Sequence, residues 1–355
     1  MPWQDLTMSS NPLAADLDHI LTHTSGLWDS LRGQRIFITG GTGFFGCWLL
    51  ESFAWANERL GLGAEALVLT RNLEAFTRKA PHLARRQDIH FQIGDVRDFA
   101  FPTGRFSHVI HTATDSSGSL AGEHPEILLE TIVTGTRRAL DFAADCGAKQ
   151  FLLTSTGAIY GRQPATVTHL AEDYNGGPDV SQPQSVYGEG KRMSELLCAI
   201  YSRQHGFEVK IARGFAFVGP YLPLDAHFAV GNFIRDAMAG GPIKVNGDGT
   251  AYRSYLYGAD LAIWVLTVLF RGVSNRPYNV GSRQSVSIAE LAGAVRRTLA
   301  PQAEIQIAQK PVPGQPAARY VPDTARAEQE LGLRQWISLD EAIRRTAQWH
   351  KNTKG

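Results

Sequence analysis

Tyr187 and Lys191 are the two residues whose types and spacing point most directly to chemistry. They stand four positions apart, a spacing that places two side chains on one face of a helix. An adjacent ammonium group favours the phenolate form of a tyrosine, whose ordinary pKa is about 10. Lowering that pKa to about 7 takes ~4 kcal/mol, which the lysine, a cationic ring and partial dehydration could share. The pair predicts acid–base catalysis, although taken alone it is also compatible with an ordinary pair on a helix face.

A glycine-rich turn stands earlier in the chain, between two runs that predict a strand and a helix. Residues 35–39 predict a short buried strand, because apolar or β-branched residues follow Arg35, and apolar residues recur at helical spacing from Phe45 to Phe53. The glycines of such a turn allow a tight bend, a close approach of backbone to a pyrophosphate, and close packing of helix against strand. The free N–H groups at the start of the helix attract phosphates. We therefore expect a dinucleotide to contact Gly40, Thr42, Gly43, Phe44, Phe45 and Gly46.

The end of the second predicted strand, residues 66–70, bears on the identity of the dinucleotide. In an NAD-preferring site an Asp or Glu at this point accepts from the ribose hydroxyls, but here the strand runs into Arg71 and Asn72. An arginine suits the 2′-phosphate of NADP, so Arg71 favours NADP over NAD; a solvated loop arginine is the alternative. His111 ends another strand and is expected to be structural, since no second ligand stands at metal-binding spacing beside it. Later strand ends add the candidate cofactor contacts Asp95, Val96, Thr112 and Ala113.

Several motifs in a fixed order extend these observations, and together they resemble a known family. They are Gly40-x-x-Gly43-x-x-Gly46, Thr156-Gly157-Ala158-Ile159-Tyr160-Gly161, Tyr187-x-x-x-Lys191, Arg213-Gly214-Phe215, Gly247-Asp248-Gly249-Thr250 with Arg253, and Asn279-Val280-Gly281. From residue 33 to residue 345 the chain resembles an extended short-chain dehydrogenase/reductase of the nucleotide-sugar epimerase/dehydratase group. The resemblance implies an α/β fold, with a doubly wound parallel-sheet Rossmann domain and a smaller, interleaved C-terminal substrate lobe. It also implies a nucleotide-diphosphate sugar as the substrate.

The same resemblance implies roles for individual residues. Tyr187 would act as acid/base on a sugar hydroxyl or ketone, Lys191 would lower its pKa and donate to the ribose, and Thr156 would hydrogen-bond the reacting oxygen. Phe215 and Val218 are implied cofactor contacts. The implied substrate contacts are Thr114, Asn232, Lys244, Arg253 and Arg319. The two arginines suit a pyrophosphate, because the planar fork of a guanidinium matches phosphate oxygens. No metal site is expected.

Two positions depart from the family pattern and reduce the number of reactions that we expect. The family's dehydratases carry Asp-Glu directly after the threonine, and its decarboxylases keep an acid at the second of these positions. This chain has Gly157 and Ala158 there, which offer no group for proton transfer. General acid–base help is typically worth about 10²–10⁴-fold, so we expect its loss to prevent elimination.

The reaction that these residues favour is hydride transfer at sugar C4, by a 4-epimerase or by a reductase of a 4-keto-6-deoxy sugar. Arg71 favours the reductase, because net reductions usually draw on NADPH. UDP-glucuronate decarboxylase or nucleotide-sugar 4,6-dehydratase chemistry is the alternative, with Glu189 or Asp115 as a relocated acid. The residues downstream of Tyr187 resemble the decarboxylase branch in particular. A non-catalytic dinucleotide-binding regulator is a further alternative, which the intact catalytic residues disfavour.

The predicted organisation has three parts, namely an N-terminal helical extension at 1–32, an NAD(P)-binding Rossmann domain at 33–214 plus 254–281, and a nucleotide-sugar-binding lobe at 215–253 plus 282–355. Residues 11–32 predict one short amphipathic helix that packs on the cofactor domain or on a partner subunit. Apolar residues near 126–146 and 187–204 predict helices that pair two subunits, so we expect a homodimer. The apolar run 261–270 is too short to span a bilayer and predicts a buried helix.

Composition disfavours several classes of partner. The chain has 355 residues, and 35 Lys and Arg against 34 Asp and Glu leave no basic field for nucleic acid or an anionic membrane. Its three cysteines, without a CxxC pair, favour a reducing compartment over a disulfide framework. The start of the sequence lacks the charged-then-apolar pattern of a signal peptide, and we expect a cytoplasmic protein.

Overall fold

A seven-stranded parallel β-sheet forms the centre of the structure, a computed structural model that describes residues 11–114, 122–226 and 228–353. In these ranges the strands are β1 (Arg35–Thr39), β2 (Glu65–Thr70), β3 (Ile89–Ile93), β4 (His108–His111), β5 (Gln150–Thr156), β6 (Glu208–Gly214), β7 (Phe217–Val218), β8 (Ile243–Val245), β9 (Tyr252–Ser254), β10 (Leu256–Tyr257), β11 (Pro277–Val280), β12 (Ser285–Ser287), β13 (Ile305–Ile307) and β14 (Arg319–Tyr320). The helices of the same ranges are α1 (Ala14–His23), α2 (Phe44–Leu60), α3 (Leu73–Lys79), α4 (Pro81–Ala84), α5 (Pro125–Asp145), α6 (Val186–His205), α7 (Ala229–Met238), α8 (Gly258–Arg271), α9 (Ile288–Leu299), α10 (Ala325–Leu331) and α11 (Leu339–Thr353).

The order of the strands is that of a doubly wound sheet. Across the sheet they stand in the order β3-β2-β1-β4-β5-β6-β11, and each neighbouring pair is parallel. The chain therefore starts in the middle and winds first to one edge and then to the other. The reversal between β1 and β4 opens a crevice at the carboxyl ends of the strands, where such sheets bind dinucleotides. The α/β Rossmann fold predicted from the sequence is confirmed.

Strand β1 illustrates why helices cover both faces of this sheet. Ile36 and Ile38 belong to a core shared with α2 and α8, whereas Phe37 belongs to a second core shared with α5 and α6. Alternate side chains of a strand point to opposite faces, so the three consecutive apolar residues of β1 must be buried on both sides of the sheet. The two helical layers hold the carboxyl ends of the strands, and with them the candidate site, in a fixed position.

Short strands after β6 build a smaller group of sheets. β9 pairs antiparallel with β12 and parallel with β14, β8 pairs with β13, and β7 pairs with β10. Helices α7 and α9 pack on one another and on β8. This group meets the main sheet at the end of β5, where Thr156 contacts Tyr320 of β14. The domain boundaries given above stay a prediction.

The N-terminal extension differs from its prediction, because residues 11–32 do not form one helix. Helix α1 ends at His23, Gly26 has a left-handed backbone (φ 76°), and a 3₁₀ turn follows at Trp28–Leu31. A left-handed residue breaks the path of a right-handed helix, and glycine adopts that conformation readily. The amphipathic pattern of the whole segment thus comes from two short elements that bury their apolar sides separately.

Helix α1 is held by polar contacts to distant parts of the chain. Its buried Asp16 accepts a hydrogen bond of 2.6 Å from the Tyr257 hydroxyl and pairs with Arg345 of α11. Trp55 of α2 donates to Asp18 at 2.9 Å. These contacts join the first and last described helices to the helical layer over the cofactor side of the sheet.

Helix α8 contains the apolar run 261–270, and its residues 258–269 are buried as predicted. Within the three described ranges, no helix has the combination of length and apolar character that crossing a membrane requires.

Candidate active site

The glycine-rich turn connects β1 to α2 at the centre of the sheet. Gly40 has a left-handed backbone (φ 70°), and a β-carbon there would lie 2.5 Å from the backbone nitrogen of Ala113. A β-carbon at Gly46 would lie 2.3 Å from the backbone of Gly41, because α2 begins directly against the turn. Only glycine fits these close approaches. Gly43 caps α2, a helix of 17 residues whose free N–H groups and positive dipole end can bind phosphate.

Aromatic rings and a strand end border the turn on two sides. Phe45 lies 5.0 Å from Phe217 between ring centres. On the other side, the Thr112 hydroxyl donates to the Thr39 carbonyl at 2.7 Å, and the Ala113 N–H lies 3.3 Å from the Thr39 hydroxyl. The neighbouring residues Phe44 and Val218 lie beside the two rings. The structure thus brings most of the predicted cofactor residues together, while their contact with a cofactor stays a prediction.

Arg71 and Asp95 follow the adjacent strands β2 and β3. The pKa of the Asp95 carboxyl is lowered chiefly by a hydrogen bond from Arg97, and the charge of the exposed Arg71 contributes further. Arg97 Nε donates to Asp95 at 2.8 Å. The Val96 side chain is buried against Gly135 of α5, where an added β-carbon would stand 2.7 Å from it. Asp95 is therefore a fixed, ionised group close to Arg71.

Tyr187 and Lys191 lie in the first two turns of α6, and Thr156 at the end of β5 lies close enough to Tyr187 to affect its pKa. Burial raises the pKa of Tyr187, and the nearby hydroxyl of Thr156 opposes that rise. Lys191 is buried, donates to the Thr154 carbonyl at 2.9 Å, and has its pKa lowered by burial to about 8. The lowered pKa expected for Tyr187 is therefore not found here, because burial disfavours the phenolate.

A chain of buried hydrogen bonds joins β1 to α6 behind these residues. Thr39 meets His111 Nδ1 at 2.7 Å, His111 Nε2 meets Thr136 at 3.2 Å, and Thr136 meets Ser194 of α6 at 2.9 Å. Burial, with a smaller contribution from the charge of Lys191, lowers the pKa of His111 to about 3. A neutral imidazole has one donor and one acceptor nitrogen, and both are used here. His111 thus has the structural role that the sequence predicts.

A second buried group, which sequence reasoning missed, fixes the segment around Thr156. Ser155 donates to Glu195 of α6 at 2.6 Å, and Arg213 binds both oxygens of Glu195 at 3.0 and 2.7 Å. Arg213 also donates to the Tyr160 hydroxyl at 2.8 Å. Thr156 lies between Ser155 and Tyr160, so this bidentate ion pair determines where its hydroxyl stands. The members come from separate elements, and no local sequence pattern relates them.

Gly157 and Ala158 form the 3₁₀ turn that follows Thr156, and the ring of Phe215 covers Gly157. Of the two acids considered as replacements, Glu189 lies 3.6 Å from Arg192, and Asp115 lies outside the described residues. Within residues 11–114, 122–226 and 228–353, no group of His, Cys, Asp and Glu side chains could hold a metal ion.

The hydroxyl of Tyr320 also reaches the site, and sequence reasoning missed it. It lies 3.3 Å from Thr156 Oγ1, and its ring lies 4.7 Å from that of Phe215. Burial raises the pKa of Tyr320. The one signal in the sequence is its position next to Arg319, a predicted substrate contact. Nothing in the chain indicates a contact with a residue 164 positions earlier.

The two arginines predicted for the pyrophosphate lie on opposite faces of the small sheet β12-β9-β14. In register, Arg253 is paired with Tyr320 and Arg319 with Tyr252. The guanidinium of Arg253 lies 6.0 Å from the ring of Tyr320, and that of Arg319 lies 4.2 Å from the ring of Tyr252. Since successive residues of a strand alternate between faces, Arg253 shares the face that meets Thr156. A joint contact of both arginines with one pyrophosphate stays a prediction.

Asn232 and Lys244 line a cleft of 510 Å³ between α7 and the loop after β8. This volume suits a small-molecule ligand. Thr114, predicted to contact substrate, has a buried hydroxyl without a hydrogen-bond partner among the described residues. Buried polar groups almost always have a hydrogen-bond partner. A bound ligand that hydrogen-bonds the Thr114 hydroxyl is consistent with this rule.

Comparisons with known proteins show the family of this chain. Residues 36–281 match the profile of the NAD dependent epimerase/dehydratase family. The chain belongs to this family. Among curated relatives, UDP-glucuronic acid decarboxylase 6 of Arabidopsis thaliana is 31% identical over 310 residues, covering 87% of either chain. UDP-glucuronic acid decarboxylase 1 of Danio rerio is 29% identical over 89% of this chain and 72% of that protein.

Solved structures of epimerases and dehydratases share the fold. The UDP-glucose 4-epimerase of Thermotoga maritima, solved with UDP-glucose, has a TM-score of 0.77 at 22% identity, covering 90% of this chain and 100% of that chain. DesIV, the dTDP-glucose 4,6-dehydratase of Streptomyces venezuelae, solved with NAD and TYD, has a TM-score of 0.76 at 26% identity, covering 90% and 98%. The family resemblance predicted from the motifs is confirmed, and the chain is an enzyme of an NAD-dependent family.

Proposed function

We propose that this protein transfers a hydride between a nicotinamide cofactor and C4 of a nucleoside-diphosphate sugar. The observation that carries the proposal is the convergence of Thr156, Tyr187 and Lys191 at the carboxyl ends of the strands. The glycine turn fits a dinucleotide, because the positions of closest approach lack a β-carbon and a helix begins there. Two reactions need no more than this: 4-epimerisation, and reduction of a 4-keto-6-deoxy sugar.

Tyr187 is the proton-transfer group in this proposal. Its phenolic oxygen takes the proton from the C4 hydroxyl during oxidation and returns it during reduction. Thr156 donates to the same sugar oxygen, and Lys191 binds the ribose hydroxyls and places its charge near the phenolate. The bound cofactor supplies the hydride donor or acceptor at C4.

The residues that follow Thr156 support chemistry confined to C4. Loss of water across C5 and C6 needs both an acid and a base, each typically worth about 10²–10⁴-fold. Gly157 and Ala158 supply neither, and Phe215 occupies the space into which a longer side chain at Gly157 would extend. We therefore disfavour 4,6-dehydratase activity.

A second candidate is UDP-glucuronate decarboxylation, and the relatives favour it over the first. The curated relatives at 30–31% identity carry that name. Oxidation of C4 in UDP-glucuronate produces a β-keto acid, in which the C4 carbonyl itself accepts the electrons left when CO₂ departs from C5. Decarboxylation thus needs fewer proton-transfer groups from the protein than dehydration does. It still needs a proton donor to C5, and the family's usual carboxylate is replaced by Ala158.

Product analysis separates the candidates. The purified protein is incubated with UDP-glucuronate and NAD, and separately with dTDP-4-keto-6-deoxyglucose and NADPH, and products are identified by NMR. A C4 epimer that retains the carboxylate supports an epimerase, and consumption of NADPH with a 4-hydroxyl product supports a reductase. Multiple-turnover release of CO₂ with a UDP-pentose establishes the second candidate instead. If neither mixture changes while both ligands bind, hydride transfer at C4 of these sugars is ruled out.

The finer assignments belong to the same proposal. Arg71 favours NADP over NAD, whereas the structurally similar DesIV was solved with NAD. The proposed substrate contacts are Thr114, Asn232, Lys244, Arg253 and Arg319. Arg253 is the best supported of these, since it lies on the face of its sheet that meets Thr156.

A homodimer is also proposed, paired through α5 and α6. Both helices carry large apolar side chains that are exposed, namely Ile127, Leu129, Met193, Leu196 and Ile200. Apolar surface clustered on two neighbouring helices is typical of an interaction face. A second copy of the same helices is a self-complementary partner for it.

A further inference from the structure

Tyr320 brings a third hydroxyl to the two that the proposed mechanism uses. Its oxygen lies 3.3 Å from Thr156 Oγ1 and 3.5 Å from the Gly214 carbonyl, at the ends of β5 and β6. The Tyr187 phenol is close enough for its charge to raise the pKa of Tyr320, after the larger effect of burial. Tyr320 has no part in the mechanism described so far.

Contacts with Phe215, Arg253 and the backbone next to it hold Tyr320 in position. Its ring packs at a tilt against that of Phe215, 4.7 Å away between ring centres, and the guanidinium of Arg253 lies 6.0 Å from the Tyr320 ring. The next residue, Val321, is fully buried and donates its N–H to Gln163 at 3.0 Å. A side chain held in this way presents its hydroxyl to Thr156 without a further loss of conformational freedom when substrate binds.

The hydrogen-bonding capacity of Thr156 explains what a third hydroxyl does. A threonine hydroxyl has one proton and two acceptor lone pairs. Thr156 Oγ1 already accepts from the Ala158 N–H at 3.2 Å. If it also accepts from Tyr320, both lone pairs are engaged, and its proton is left for Tyr187 or for the sugar oxygen bound between them.

We propose that Tyr320 is a positioning residue, whose hydroxyl donates to Thr156 and thereby directs the Thr156 proton towards the reacting C4 oxygen. This inference rests on the proposed function, because it assigns Tyr320 to the same acid–base step. The raised pKa of Tyr320 keeps it protonated, so it remains a donor throughout the working pH range. Without substrate, the Tyr320 hydroxyl can instead donate to the Gly214 carbonyl, at the longer distance of 3.5 Å.

The first test is Tyr320→Phe, which keeps the ring on Phe215 and removes only the hydroxyl. With whichever of the two substrate mixtures above the protein turns over, we expect kcat to fall ~5- to 30-fold, as for a lost hydrogen bond in a charged network, with KM changed less than twofold. In the oxidative direction Tyr187 must be deprotonated, so the acidic limb of kcat should move to higher pH. Tyr278→Phe removes a hydroxyl bonded to Glu330 away from the site, and should change stability without moving that limb.

The second test is a double-mutant cycle with Thr156→Ala. If Tyr320 acts through Thr156, adding Tyr320→Phe to Thr156→Ala should cost no further activity. Additive losses, or an unchanged kcat and pH profile in Tyr320→Phe, overturn the proposal. If Tyr320→Phe alone folds poorly, kcat is measured for all four proteins at low temperature. Each value is then divided by the folded fraction, which circular dichroism gives. Full turnover in Tyr187→Phe would instead refute the proposed function itself, so the two failures are distinguishable.

Discussion

The ring of Phe215 lies so close over Gly157 that a β-carbon at Gly157 would stand 2.6 Å from two of the ring carbons. Contacts this short do not occur between real side chains, so the glycine and the phenylalanine are fitted to one another. Phe215 in turn packs at a tilt against the ring of Tyr320. The packing of Phe215 therefore leaves no room for a carboxylate at position 157.

Substitution at Gly157 and at the neighbouring Ala158 should have different effects. Gly157→Asp must displace Phe215 and is expected to destabilise the protein by ~1–3 kcal/mol, the usual cost of overpacking. Ala158→Asp, at a half-buried position, should cost less. Thermal unfolding of both variants tests this ranking. Equal stability of Gly157→Asp and the wild type would mean that Phe215 moves freely. The packing of the site would then tolerate an acidic side chain at position 157.

Tyr187→Phe should abolish turnover and leave the binding of cofactor and nucleotide sugar unchanged, because only the proton path is removed. Lys191→Ala should lower both the rate and the affinity for cofactor, since Lys191 has two proposed roles. Steady-state kinetics and calorimetric titration with NAD measure the two effects separately. Near-normal turnover in Tyr187→Phe would refute its assignment as acid/base.

Arg71→Ala should weaken NADP binding by about 1.5–3 kcal/mol, as for a lost charge-assisted hydrogen bond, and should change NAD binding much less. Arg59→Ala, at the exposed far end of α2, is the matched control. Fluorescence titration of the wild type and both variants with NAD and with NADP gives the six affinities. An equal effect of Arg71→Ala on NAD and NADP would show that the arginine does not contact a 2′-phosphate, and the preference for NADP would be withdrawn.

Acid should destabilise the protein through two buried histidines. Burial lowers the pKa of His108 to about 4 and that of His111 to about 3, against about 6.5 in an unfolded chain. Below pH 6.5 the unfolded state therefore binds more protons, and stability is lost as the pH falls towards 3, by at most ~1.4 kcal/mol per pH unit for each histidine.

The variant His111→Gln isolates one of these contributions. It should be less stable than the wild type at pH 7, because the bonds to Thr39 and Thr136 are altered, but the difference should shrink as the pH is lowered. His90→Gln, which changes the same residue type at an exposed position of β3, is the control. Urea unfolding at several pH values measures both slopes. A wild type and His111→Gln with parallel pH profiles would show that His111 is not buried in its neutral form.

Leu196→Glu should dissociate the proposed dimer, because Leu196 is 54% exposed on the apolar face of α6 and a charge there would be buried between subunits. Ile307→Glu, at the similarly exposed Ile307 of β13, is the control and should not change the mass in solution. Analytical ultracentrifugation measures the mass in solution of the wild type and both variants. A wild type that stays monomeric at high concentration would contradict the dimer.

The parts of the structure that local pattern governs could be predicted from the sequence. The glycine turn lies between a strand and a helix because Gly40 and Gly46 are needed for backbone contacts within a few residues of the turn or across one strand pair. Tyr187 and Lys191 could be paired because helical periodicity links them. The pKa of Tyr187 could not be predicted, since it depends on burial by elements far along the chain.

The parts that depend on distant pairing could not be predicted. Strand β14 has two residues, too few for a periodic signal, so neither Tyr320 beside Thr156 nor the separation of Arg253 from Arg319 is visible in the sequence. In the N-terminal segment, apolar periodicity continues past Gly26, and the pattern conceals the break that its left-handed backbone imposes.

The pairing of Asp16 with Tyr257 and Arg345 bears on how this chain folds. The two partners lie 241 and 329 positions after Asp16, and the main sheet is completed only by β11. During synthesis, the second oxygen of the Asp16 carboxylate therefore gains its partner only when α11 has been made. Long sequence separation between contacting residues slows folding, and the unfinished N-terminal part exposes apolar surface meanwhile. A fragment that ends before α11 should consequently need a chaperone, even though it contains every residue of the glycine turn and the catalytic helix.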